Sequence, residues 1–126
     1  MTLKVVSTNG APKAIGPYSQ GIDAGNIIFV AGQVGRHPEN GELEQGIEAQ
    51  TDRAMKNITA ILDAAGLTWA NVAKTTCLLT DINDFDAFNA VYSRYVSDPR
   101  PARATYQVAA LPRGAVVEIE AFAVRG

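Results

Sequence analysis

Cysteine and histidine are nearly absent from this sequence. Its 126 residues include one cysteine, Cys77, and one histidine, His37. A single cysteine cannot form a disulfide within the chain, and one thiol with one imidazole cannot complete a tetrahedral zinc site. We therefore predict a protein that binds no metal. The cysteine usage also favours a reducing compartment, and we predict the cytoplasm.

Long apolar runs and an excess of one charge are also missing. No segment approaches the ~20 apolar residues of a membrane span, and the first residues are mixed rather than an apolar signal core. The formal charge is −2, and the 11 basic residues are scattered along the chain. Phosphate-binding glycine motifs and a nucleophile elbow are absent as well. These absences predict a soluble protein with no membrane and no nucleic acid among its partners.

The apolar pattern predicts one α+β domain over residues 1–126. Helical spacing indicates one helix at residues 47–65, with Gly66 as its left-handed cap, and a second helix from a cap at Asn83 to about Val96. Short alternating or β-branched runs indicate six strands, at residues 3–6, 19–23, 27–34, 71–80, 102–108 and 115–124. The predicted order is therefore β-β-β-α-β-α-β-β.

The strand at residues 27–34 is apolar on both of its alternating faces. This pattern is typical of a strand that is covered from two sides. Two helices can cover only one face of a six-stranded sheet, so the other face needs a different cover. In a chain this short, a second copy of the chain is the simplest cover, and we predict a homo-oligomer.

Arg103 is the most conspicuous candidate for chemistry. It begins an alternating strand, between the small residues Ala102 and Ala104, and its planar guanidinium suits bidentate pairing with a carboxylate. The alternative is an ordinary salt bridge to Glu118 or Glu120 across a hairpin formed by the last two strands.

Two further candidates have equally plain alternatives. Glu118, which shares a strand face with Glu120, is either a solvated surface residue or, in a cleft between subunits, a base that deprotonates water. Tyr18 follows the rigid turn at Gly16 and Pro17, and is either a packing residue or a phenol that projects into a site. Spacing alone leaves these alternatives open.

Several segments, taken in order over nearly the whole chain, resemble the RidA/YjgF/UK114 family. No single segment is decisive, but their order and the chain length make the resemblance specific. The segments are Gly16-Pro17-Tyr18-Ser19-Gln20-Gly21, Val30-Ala31-Gly32-Gln33, Asn83-Asp84-Phe85 through Asn89, Pro101-Ala102-Arg103, and Val116-Val117-Glu118-Ile119-Glu120-Ala121.

The resemblance implies a chorismate-mutase-like α+β fold, with a mixed six-stranded sheet, two helices on one face, and a homotrimer that encloses a central barrel. It also implies hydrolysis of 2-iminobutanoate and 2-iminopropanoate, or their enamine tautomers, to 2-oxo acids and ammonia at clefts between subunits, without a cofactor. By position, it assigns Arg103 and Glu118 to catalysis. It assigns binding of the substrate to Tyr18, Gly32, Asn89, Arg103 and Thr105.

Two positions depart from the family pattern, and two other functions stay open. Thr105 stands where a cysteine is frequent, and Ala31 where many members have serine, so the resemblance implies no thiol or serine contact at these points. The first alternative function is a non-catalytic trimer that binds a 2-oxo or imino acid and regulates another protein. The second, a ribonuclease or translation inhibitor, is disfavoured by the small acidic charge.

Overall fold

A computed structural model describes residues 2–126, and it confirms the predicted order of strands and helices. The helices are α1 (Ile47–Ala64) and α2 (Phe85–Tyr92). The strands are β1 (Lys4–Val6), β2 (Gly21–Asp23), β3 (Ile27–Val34), β4 (Val72–Leu79), β5 (Ala102–Gln107) and β6 (Val117–Val124). Gly66, directly after the C-cap residue Ala65, has a φ of 76° and so takes the left-handed conformation expected just beyond a helix end.

The six strands form one mixed sheet in the order β1-β2-β3-β6-β4-β5. Strands β4 and β5 are parallel, and every other neighbouring pair is antiparallel. The prediction of a hairpin between the last two strands is wrong, because β4 lies between β5 and β6. The parallel pair follows from α2, since the chain crosses over through this helix before it returns as β5.

Both helices pack on one face of the sheet, as expected. The buried stripe of α1, with Ala54, Ile58 and Ile61 fully enclosed, contacts β3 and β6, and α2 packs beside α1. Residues of β6 alternate accordingly: Val117 and Ile119 lie in this core, whereas Glu118 points away from it.

The second helix is shorter than predicted at both ends. Asp81, rather than Asn83, supplies the cap: its carboxylate accepts a hydrogen bond from the Asn83 amide at 2.9 Å and begins a 3₁₀ turn. At the other end, the amides of Arg94 and Tyr95 bond to carbonyls three residues back, so the chain tightens after Tyr92. Val96 is nevertheless buried, as its apolar periodicity predicted.

The face of the sheet opposite the helices is apolar and open in the single chain. Phe29 and Phe122 meet edge to face, with ring centroids 5.3 Å apart, and both are more than a third exposed. Ile27 and Val124 extend this surface along the same pair of strands. The chain therefore leaves uncovered the face for which the sequence predicted a partner.

Cys77 lies on β4 on the opposite, helix-covered side, where its side chain is fully buried. Burial raises the pKa of its thiol to about 11, because the enclosed site disfavours the thiolate. Cys77 is therefore a small buried residue of the core. Within residues 2–126, no helix combines the length and the apolar character that crossing a bilayer requires.

Candidate functional site

Arg103 lies beneath helix α2, in a region that we call the arginine pocket. Its register partner on β4 is Thr75, which is buried on the helix-covered face, and paired residues on adjacent strands share a face. The guanidinium carbon is 4.9 Å from the ring centroid of Tyr92 and about equally close to Phe85 and Phe88, at 5.4 and 5.5 Å. Three aromatic rings of α2 thus surround one cation.

The polar contact of this guanidinium is with an amide rather than an acid. Arg103 Nη1 donates to Asn89 Oδ1 at 2.8 Å. No carboxylate within residues 2–126 forms an ion pair with Arg103. The alternative of a salt bridge to Glu118 or Glu120 is therefore wrong, because both glutamates lie on the other face of the sheet. Since guanidinium has five donors, most of them are left for an incoming anion.

The arginine pocket rests on a buried polar pair. Tyr92 Oη and Thr75 Oγ1 are 2.7 Å apart, and this hydrogen bond to β4 fixes the tyrosine ring that faces Arg103. The pocket opens into a cavity of about 300 Å³ that Asn89, Tyr92 and Arg103 help to line. Thr105 is two residues further along β5, but its hydroxyl is enclosed, without a hydrogen-bond partner in the described chain, and it lines no part of this cavity.

A second region, which we call the glutamate cleft, is centred on Glu118. This cavity of about 440 Å³ is lined by Pro12, Lys13, Ile15, Tyr18, Ala31, Gly32, Gln33, Val34, Arg36, Pro112, Arg113 and Glu118. The carboxylate lies directly against Gly32: a Cβ atom on that residue would be 2.9 Å from the Glu118 carboxyl carbon and from one of its oxygens. Glycine at position 32 is thus what leaves room for this carboxylate.

The surroundings of Glu118 disfavour ionisation of its carboxyl group. Partial burial raises its pKa above the ordinary value, and the neighbouring charge of Glu120 raises it further. A carboxylate whose pKa moves toward neutrality is a better proton acceptor near neutral pH than an ordinary surface glutamate. Perturbed acids of this kind are frequent at functional sites.

Tyr18 forms part of the wall of the glutamate cleft and is half exposed. Its hydroxyl accepts a hydrogen bond from the Ile15 amide at 3.3 Å, and Gly16, at a φ of 123°, forms the bend between them. The phenol is therefore held by its own loop rather than packed in the core. This placement agrees with a side chain that projects into a site.

The structure thus divides the predicted site residues into two groups. Asn89 and Arg103 meet in the arginine pocket, whereas Tyr18, Gly32 and Glu118 meet in the glutamate cleft. Since Arg103 and Glu118 point to opposite faces of one sheet, no single chain brings the two groups together. No cluster of three or more metal-ligating side chains occurs within residues 2–126.

Sequence reasoning missed residues in both regions. Phe85, Phe88 and Tyr92 recur at three- and four-residue steps, which is also the spacing of an ordinary core stripe, so the sequence carries no sign of the cation that they contact. Arg36 and Arg113, which line the glutamate cleft, were not singled out. The turn Pro112-Arg113-Gly114 offered one signal, since a residue between proline and glycine often takes a turn conformation.

The amino-acid sequence is similar to those of known proteins. The sequence profile of the family described as Endoribonuclease L-PSP matches residues 8–125. A protein of Mus musculus named 2-iminobutanoate/2-iminopropanoate deaminase is 52% identical over 124 residues, which cover 98% of this chain and 92% of the relative. The chain belongs to the RidA/YjgF family. The family suggested by the sequence motifs is thereby confirmed.

Solved structures of RidA/YjgF proteins share the fold closely. RidA from an Antarctic Psychrobacter superimposes with a TM-score of 0.95 at 44% identity, covering 97% of this chain and 99% of that one. TdcF of E. coli, solved with bound serine, gives a TM-score of 0.92 at 41% identity, covering 98% and 99%. The predicted RidA/YjgF fold, α+β with a mixed six-stranded sheet and two helices, is confirmed by this agreement.

Proposed function

We propose that the chain hydrolyses 2-iminobutanoate and 2-iminopropanoate, or their enamine tautomers, to 2-oxo acids and ammonia. The observation that carries this proposal is the state of Arg103: a cation held by three aromatic rings and one amide, with no acid paired to it. The mouse relative of 52% identity bears the name of this activity. We expect the enzyme to work in the cytoplasm, without metal or cofactor.

Arg103 is the group that binds the carboxylate of the imino acid. A guanidinium offers a planar pair of donors that matches a carboxylate, and this one is preorganised because Asn89 and the rings fix its plane. Preorganisation reduces the entropy lost when substrate binds. The serine bound to TdcF also carries a carboxylate, so that relative accepts a small molecule of similar chemistry.

Glu118 is the base in the hydrolytic step. Its carboxylate takes a proton from water as the water oxygen bonds to C2 of the protonated imine, giving a tetrahedral amino alcohol. The same proton then passes to the amino nitrogen. As the C2–N bond breaks, the carboxylate takes the hydroxyl proton, so a 2-oxo acid and ammonia form, and Glu118 then gives that proton to the departing ammonia or to solvent. The raised pKa of Glu118 suits both transfers, since the group must accept the proton and return it.

The complete site requires two chains in this proposal. Arg103 and Glu118 lie on opposite faces of the sheet, so one subunit supplies the arginine pocket and its neighbour the glutamate cleft. The open apolar face around Phe29 and Phe122 supplies a reason to associate, because its burial is favourable at roughly 25 cal/mol per Å². A closed homotrimer with its sheets around a central barrel satisfies both requirements.

The remaining residues orient the substrate. Tyr18 and Gly32 line the cleft beside Glu118, where the phenol contacts the bound acid and the glycine keeps the carboxylate close to C2. Asn89 holds the plane of Arg103 and contacts the same ligand. Thr105 contributes through its backbone amide on β5, because its hydroxyl is enclosed.

The experiment that tests the activity uses the purified chain and an imine generated in situ. A threonine dehydratase releases 2-iminobutanoate, and its loss and the rise of 2-oxobutanoate are followed with and without the protein. We expect a clear acceleration that scales with protein concentration. Saturable binding of 2-oxobutanoate without turnover would instead favour the non-catalytic trimer. RNA affinity that falls steeply with salt would favour the ribonuclease function that the family description names.

A further inference from the structure

The glutamate cleft contains cations that the proposed reaction does not use. Lys13, Arg36 and Arg113 line the same cavity as Glu118, so three positive side chains accompany one carboxylate. None of the three takes part in an ion pair within the described chain. The ion pairs there are His37 with Glu44, Lys56 with Asp52 and Arg125 with Asp23.

Arg36 is held in place although no acid neutralises it. Its Nε donates to the Gly41 carbonyl at 2.9 Å, and a terminal nitrogen lies so close to Gly41 that a Cβ there would be 2.8 Å away. Burial and the nearby charge of Arg113 both lower the pKa of Arg36, although a guanidinium stays charged at neutral pH. Two like charges at one cavity repel each other, and a bound anion would relieve that repulsion.

Arg113 approaches the cavity from a strained backbone. Its φ of 59° and ψ of 21° lie in the left-handed region, which non-glycine residues adopt at a cost. It is the one non-glycine residue with positive φ in residues 2–126. The adjoining Pro112 lines the same cavity. Strain of this kind persists where the surrounding structure imposes it, and it is most frequent at ligand sites.

We propose that the glutamate cleft selects 2-imino acids whose side chain ends in a second carboxylate, which Arg36 and Arg113 bind. The proposal rests on the proposed function, because Arg103 of the neighbouring subunit then takes the first carboxylate and Glu118 lies near C2. The rest of the substrate extends along the cavity toward these two guanidinium groups, neither of which is paired with an acid in the described chain. Dicarboxylic imino acids of five carbons, such as 2-iminoglutarate, match this arrangement of charges, and their hydrolysis yields a dicarboxylic 2-oxo acid and ammonia.

The test compares two imines of equal chain length. Amino-acid oxidases with catalase generate 2-iminoglutarate from glutamate and 2-iminopentanoate from norvaline, and kcat/KM is measured for both. We expect the wild-type chain to prefer 2-iminoglutarate by about tenfold or more. The double variant Arg36→Gln, Arg113→Gln is expected to lose that preference, mainly through a higher KM, and to hydrolyse 2-iminopentanoate within about threefold of wild type.

The control variant is Lys56→Gln, which removes one positive charge on helix α1, outside the cleft. It is expected to keep the preference of the wild type. Equal turnover of the two imines by the wild type, or equal losses for both in the double variant, would overturn the proposal.

A second measurement separates this inference from the proposed function. Calorimetry compares binding of 2-oxoglutarate with binding of 2-oxopentanoate, which requires no turnover. If neither imine is hydrolysed, the proposed function fails. The binding preference then still decides whether Arg36 and Arg113 bind a second carboxylate. Tighter binding of 2-oxoglutarate that disappears in the double variant supports the charged cleft, whereas equal binding rejects it.

Discussion

The arginine pocket and the glutamate cleft are built on different principles. The pocket is formed by regular elements, since its aromatic rings come from α2 and its cation from β5. Many residues that line the cleft lie in loops, including the strained turn at Arg113 and the loop of Tyr18. A guanidinium keeps its charge at any physiological pH, whereas the Glu118 carboxyl titrates with a raised pKa.

The contrast separates two tasks that a hydrolase must combine. Binding an anion requires a fixed charge in a fixed place, which rigid elements provide. Moving a proton requires a group that changes its charge, and in the proposed reaction that group is Glu118, whose pKa is raised by partial burial. The two groups lie on opposite faces of one sheet, so in the proposed reaction neither subunit alone performs both tasks. The proposed activity therefore depends on assembly of the subunits.

Replacing Glu118 with Gln should have the largest effect. The amide has the shape of the acid but accepts no proton, so we expect kcat to fall on the order of 10²–10⁴-fold. The wild-type pH profile should show an acid limb that lies above the pKa of an ordinary glutamate, because the base must be deprotonated. Steady-state kinetics over pH 4–9 measures both effects. A variant that keeps wild-type kcat would remove Glu118 from the reaction.

The same variant should be at least as stable as the wild type. The raised pKa means that the folded state binds this proton more tightly than the unfolded chain does. The free energy of unfolding contributed by Glu118 therefore declines as pH rises from the unfolded pKa through the higher folded pKa. Glutamine carries no such penalty at neutral pH. Thermal unfolding at pH 7 should show an equal or higher midpoint, and a clear decrease would point to a structural role instead.

Replacing Arg103 with Ala should weaken substrate binding strongly. Loss of a charged clamp costs on the order of 2–5 kcal/mol, which is about thirtyfold or more in kcat/KM. Arg103→Lys keeps the charge but loses the planar fork, so it should recover only part of the activity. Gel filtration and circular dichroism confirm that the variants assemble. Full turnover by Arg103→Ala would contradict the assigned role.

Mixing the two inactive variants tests whether the regions cooperate across subunits. In randomly mixed trimers of Arg103→Ala and Glu118→Gln chains, about a quarter of the clefts would pair two intact halves. We therefore expect activity to return to about a quarter of the wild-type value after co-refolding. Activity that stays at the level of the separate variants would show that the two groups do not meet between chains.

Replacing Gly32 with Ala should have the smallest of these effects. The added methyl would clash with the end of the Glu118 side chain, which can shift because it is the flexible end of a long residue. A small displacement of a reacting group costs up to about 10²-fold, and we expect about tenfold in kcat with little change in the thermal midpoint. Unchanged kcat would show that the position of this carboxylate is not critical.

Local sequence patterns predicted what depends on local structure. Strict alternation in β6 placed Glu118 opposite Val117 and Ile119, and the structure has it there. The doubly apolar strand β3 correctly predicted a sheet face without an intramolecular cover. These features follow from period and composition, which each segment carries in itself.

Local sequence patterns do not predict which distant strands pair with each other. The insertion of β6 between β3 and β4 depends on tertiary packing, so the neighbour of Arg103 was misjudged as β6. For the same reason, the rings of α2 gave no sign that they enclose a guanidinium. The left-handed conformation of Arg113 depends on its surroundings, since its own side chain disfavours that conformation.

The buried thiol of Cys77 has a chemical consequence for a protein that handles imines. Imines are electrophiles at carbon, and thiolates add to them readily. At a pKa of about 11, on the order of one Cys77 thiol in ten thousand is ionised at neutral pH, and the residue is enclosed by the core. The one thiol of the sequence is thus enclosed and mostly protonated, a state in which it reacts slowly with imines.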